Sequence, residues 1–75
     1  MPVRKRSVTI AGHRTSFSVE DAYFDLLQRA AEAENRLLAS LIAEIDETRP
    51  RDSNLSSALR LHVLELALAG RFAEA

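Results

Sequence analysis

The stretch "RSVTIAGHRTSFSV", residues 6–19, reads as two short strands around one glycine. Gly12 stands at the first central position of Ala11-Gly12-His13-Arg14, which predicts a two-residue type II′ turn. That turn sets Ile10 opposite Thr15, Thr9 opposite Ser16 and Val8 opposite Phe17. Successive residues of a strand point to opposite faces. Val8, Ile10, Thr15, Phe17 and Val19 therefore share one side. Ser7, Thr9, Ser16 and Ser18 share the other, with Lys5 and Arg14 at its ends. One choice of turn gathers the large apolar residues onto a single face, so that face is the expected core side.

Three helices are expected downstream. The first spans about 19–34, with Ser18 as N-cap and Asp21 placed as in a capping box. Phe24, Leu27, Ala30 and Ala31 lie along its apolar side, and Asn35 can take the left-handed conformation that ends it. The second spans about 37–48, with Leu38, Leu41, Ile42 and Ile45 as its stripe and Pro50 as its stop. The third spans about 54–69, capped by Ser53 or Asn54 and ended by Gly70. It carries two apolar stripes. One holds Leu55, Ala58, Leu59, His62, Val63 and Leu66. The other holds Leu61, Leu64 and Leu68, continued by Phe72. A helix apolar on two sides must be covered on two sides, which predicts a homodimer or a larger assembly.

Composition narrows the function. A chain of 75 residues is one domain, and at that size it buries only about 60% of its unfolded surface. There is no Cys, so disulfides and thiolate metal sites are excluded. The two His are not paired at helical spacing, so no metal site is expected. No phosphate loop, dinucleotide fingerprint or Ser-His-acid grouping stands out, and neither an enzyme nor a cofactor is expected. No apolar run is long enough for a membrane span, and the basic N-terminus lacks the apolar region of a secretory signal; a cytoplasmic location is expected. The net charge is −1, but it is unevenly spread. Residues 1–19 hold Arg4, Lys5, Arg6 and Arg14 with no acid, whereas all 11 acidic residues lie beyond them. A basic arm on an acidic body fits a polyanion partner or a partner's acidic surface, and equally a solvated tail that serves only solubility.

"RSVTIAGHRTS" at 6–16, "LIAEID" at 41–46 and "NLSSALR" at 54–60 occur in order around the longer unit "TSFSVEDAYFDLLQRAAEAENRLLASLIAEI". Together they resemble a bacterial family of stand-alone ribbon-helix-helix domains, with an extra strand before the ribbon and a third helix after it. The resemblance implies an α+β, mostly helical fold: an N-terminal β-hairpin and three helices, forming a dimer through an intersubunit sheet. It divides the chain into a basic arm at 1–5, the domain at 6–69 and a tail at 70–75.

It also implies double-stranded DNA binding, as a transcriptional regulator of repressor type. Residue by residue, it implies base contacts from Arg14, Ser16 and Ser18. Phosphate contacts would come from Arg4, Lys5, Arg6 and Arg36. The dimer interface would use Phe17, Val19, Leu38, Leu41, Ile42, Ile45, Leu59, His62 and Leu66. The alternative is a protein-interaction or oligomerisation module of the same fold that stays out of the major groove. Two features motivate it. Leu37, at the cap of the second helix, has no hydroxyl to grip a phosphate. A four-stranded dimer sheet, at about 4.8 Å per strand, is also wider than a groove of about 12 Å.

Overall fold

The computed structural model describes residues 3–72. Strand β1 (Val3–Ile10) and strand β2 (His13–Glu20) form a two-stranded antiparallel sheet. Helices α1 (Asp21–Ala33), α2 (Leu38–Thr48) and α3 (Leu55–Leu68) follow. The expected fold class is the one observed.

The hairpin turn differs from expectation. Ile10 pairs with His13, so Ala11 and Gly12 are the central residues. Both have positive φ, 51° and 81°, as a type I′ turn requires. Relative to the expected register, each β2 residue meets a partner two positions earlier on β1. Phe17 faces Arg6 rather than Val8, and Ser16 faces Ser7 rather than Thr9. An even shift leaves the faces unchanged. Phe17 and Val19 are buried, Val8, Ile10 and Thr15 are half-buried, and Ser7, Thr9 and Ser16 are exposed.

β1 begins by Val3, so Arg4 and Lys5 are strand residues and not part of a loose arm. Met1 and Pro2, the rest of the expected arm, lie outside the described residues, as do residues 73–75 of the expected tail. β2 runs through Glu20, and α1 starts at Asp21 with no side-chain cap. Ser18 is therefore a strand residue rather than the expected N-cap.

All three helices pack against the inner face of the hairpin, α2 on β1 and α1 and α3 on β2. Phe17 stacks on Phe24 of α1, with ring centres 6.5 Å apart. Leu27, Leu41, Ile42 and Leu59 close the centre with almost no exposure. The ends of the helices follow their local chemistry. Asn35 takes φ 54°, and the Arg36 and Asn35 amides bond back to the Ala31 and Glu32 carbonyls, a Schellman stop for α1. Arg49 is extended, as the residue before Pro50 must be, and α2 ends there. Asn54 caps α3 by accepting from the Ser57 amide at 2.7 Å. Gly70, with φ 74°, ends α3 in the same way as Asn35 ends α1.

Candidate nucleic-acid interface

The outer face of the hairpin lies opposite the buried side that carries Phe17 and Val19, and meets α3 only at its Ser18–Glu20 end. Alternation brings Val3, Lys5, Ser7 and Thr9 of β1 and Arg14, Ser16, Ser18 and Glu20 of β2 onto it. The register sets Lys5 beside Ser18, Ser7 beside Ser16 and Thr9 beside Arg14. Lys5 and Arg14 are exposed, and neither has an acidic partner among the described residues. Lys5 and Arg14 thus flank a row of hydroxyls, and beyond Lys5 the face closes on the Val3–Glu20 pair, where Arg60 holds the Glu20 carboxylate. The face can present charge to an anion and both donors and acceptors to a polar surface.

The three expected base-contact residues, Arg14, Ser16 and Ser18, all lie on this face. The four expected phosphate contacts do not stay together. Lys5 is on the outer face. Arg4 and Arg6 belong to the opposite, helix-facing side, where both meet Asp21 at the start of α1, at 3.4 and 2.7 Å. Arg6 also lies flat over the Phe24 ring, 3.7 Å from its centre. Arg36 is turned back on its own helix pair. It bridges Glu34 at 3.2 Å and Glu44 at 2.5 Å and donates to the Ser40 carbonyl. The Glu44 and Glu34 carboxylates hold its guanidinium more firmly charged than usual. Arg6 and Arg36, both expected at phosphates, are thus paired with carboxylates of their own chain. Leu37 does take the cap position of α2, without a side-chain bond and largely exposed.

The residues expected at a dimer interface divide by how far the single chain already covers them. Phe17, Val19, Leu41, Ile42, Ile45 and Leu59 are already buried within the single chain, and Leu38, His62 and Leu66 are half-buried there. The first stripe of α3 is covered by the protomer's own core. The second is not: Leu61, Leu64 and Leu68 are 55, 49 and 79% exposed. Phe72, expected to extend that second stripe, instead turns back past Gly70 and packs on the core, with Arg29 near its ring.

Four residues on the outer face or its edge carry no role in the sequence pattern. Ser7 and Thr9 were placed on the hydroxyl face but given no role. Ser56 and Arg60 of α3 bond the β2 backbone at Ser18, some forty positions away in the chain. No local pattern signals a contact of that range.

A family model described as "Ribbon-helix-helix domain" matches residues 3–67. The chain belongs to the ribbon-helix-helix domain family. Domains of this family generally form dimers and bind DNA. No curated protein and no solved structure matches the chain. Among the described residues, no helix is long and apolar enough to cross a membrane, and no group of three His, Asp or Glu side chains is placed to hold a metal ion.

Proposed function

We propose that this ribbon-helix-helix protein is a DNA-binding transcriptional regulator of repressor type that works as a homodimer. The observation that carries this reading is the outer face of the hairpin. Among the described residues Lys5 and Arg14 have no acidic partner there, beside Ser7, Thr9, Ser16 and Ser18, while five arginines elsewhere are tied to carboxylates. Arg14 can donate in pairs to a guanine edge, and the serines can serve either kind of base edge.

The width of a four-stranded dimer sheet supports one docking mode. Two β2 strands side by side fit a major groove, whereas four strands span about 14 Å against a groove of about 12 Å. The β2 pair enters, and the β1 strands ride on the rims. In that arrangement Lys5 would lie over the phosphates, adding affinity without sequence preference.

The experiment is gel-shift binding to genomic fragments at two salt concentrations, with mass measured in parallel. The expected result is a dimer-sized complex that weakens steeply as salt rises. Absence of any retained fragment at low salt rejects the reading.

The uncovered Leu61–Leu64–Leu68 stripe favours a second function, assembly through protein contacts. It predicts a species larger than a dimer in the same mass measurement, formed without DNA.

A further inference from the structure

The outer edge of β2 is open along only part of its length. In a two-residue hairpin the residues flanking the turn, Ile10 and His13, exchange hydrogen bonds. Thr15, Phe17 and Val19 therefore direct their backbone groups at β1, and Arg14, Ser16, Ser18 and Glu20 direct theirs at the other edge. At Ser18 that edge is occupied. Its N–H donates to Ser56 Oγ at 2.8 Å, and its carbonyl accepts from Arg60 Nη2 at 3.2 Å. Arg60 Nε also donates to the Glu20 carboxylate at 3.1 Å. The start of α3 thus imitates a neighbouring strand, offering one acceptor and one donor where a strand would offer them. Covering an edge with a helix prevents strand addition. The backbone groups of Arg14 and Ser16 on this edge have no partner among the described residues.

A ribbon shared by two copies needs this edge. Pairing centred on Ser16 sets Arg14 opposite Ser18 of the partner subunit. That pairing cannot form while Ser56 and Arg60 hold Ser18. We propose that the first turns of α3 are a displaceable cover. With Ser56 and Arg60 engaged, the chain is a closed protomer. Their release frees Ser18, extends the open edge and allows the shared ribbon to form. The inference rests on the reading that the DNA-binding form is a ribbon-paired dimer. In the exchange Ser18 trades two side-chain partners for backbone partners, while Arg60 and Ser56, both half-exposed, return to water.

The test is self-association without DNA, followed by sedimentation, for the wild type and for Ser56→Ala combined with Arg60→Ala. Loss of the two bonds in each protomer, four per dimer, is expected to lower the half-association concentration by about 30-fold or more. Retention of DNA at fixed salt should rise in step. Ser56→Thr keeps the acceptor oxygen and should behave as wild type. Unchanged or weaker self-association of the double variant overturns the cover. Should that variant fail to fold, the wild type decides: NMR contacts between Ser18 and the Ser56 and Arg60 side chains should disappear as dilute protein is concentrated into the dimer. Their persistence in the dimer overturns the proposal. A dimer that forms with release of α3 yet retains no DNA supports the cover and strikes only the DNA reading.

Discussion

Lys5 and Arg6 are adjacent in the chain, but β1 turns them to opposite faces of the hairpin. Arg6 faces the helices, where the Phe24 ring receives its flat guanidinium and Asp21 neutralises its charge. Lys5 faces outward, next to Ser18, and keeps its charge for the solvent or a ligand. The same division runs through β2, where buried Phe17 lies between exposed Ser16 and half-buried Ser18. Basic residues near an N-terminus therefore do not act as one patch. The period of the strand sorts them into those that hold the fold and those left for binding.

The sharpest way to break this comparison is at the buried side. Phe17→Ala should lose about 3–5 kcal/mol of stability, a large share of what a small domain has. Ser16→Ala, its neighbour, should stay within about 0.5 kcal/mol. Urea unfolding of the two variants checks the contrast, and equal losses would erase the distinction between the faces.

Next in size is Arg14→Ala. Discrimination between a preferred site and a scrambled one should fall by about 1–3 kcal/mol, with the melting temperature unchanged. Competition gel shifts measure it.

The adjacent pair gives a smaller, two-sided effect. Arg6→Ala should lower stability by about 1 kcal/mol through the lost ring and Asp21 contacts, and should leave DNA affinity per folded molecule intact. Lys5→Ala should do the reverse. Its melting is unaltered, all sequences bind more weakly, and the log–log salt slope is shallower by about 0.9 per protomer. If Arg6→Ala reduced the salt slope instead, Arg6 would belong to the binding face.

The smallest effect concerns acid. The Glu20 carboxyl is held below its ordinary range by its own backbone N–H and then by Arg60. A depressed carboxylate stabilises the fold at neutral pH, and that contribution fades as pH falls through its folded value, below the usual carboxylate range. Glu20→Gln should flatten only this acid limb of the stability curve, read by thermal melts between neutral and acid pH.

Much of this was legible in residue order. Alternation alone separates Val8, Phe17 and Val19 from Ser7, Ser16 and Ser18, and this holds even though the turn was misplaced by one residue. The misplacement has a physical cause. A type I′ turn asks Ala11 for a positive φ that alanine resists, so sequence logic prefers Gly12 at the first central position. The stops at Asn35, Pro50 and Gly70, the Asn54 cap and the two stripes of α3 were readable because each is local. The fate of the cations was not. Strand parity already puts Arg6 inward, but nothing near it in sequence announces Phe24 and Asp21 as its partners. The turning back of Arg36 onto Glu44 and the hold of Ser56 and Arg60 on Ser18 are likewise products of tertiary packing. Six of the nine residues expected at a subunit interface, Phe17, Val19, Leu41, Ile42, Ile45 and Leu59, are buried within the single chain. Periodicity marks them as apolar-face residues and does not say which chain they meet.

The most direct measurement is a DNA titration of isotope-labelled protein, following each backbone amide by NMR. The account predicts that the shifts concentrate on Lys5, Ser7, Thr9, Arg14 and Ser16, and that Leu61, Leu64 and Leu68 on the far stripe of α3 stay still. Shifts centred on α3, with the outer hairpin face silent, would contradict it.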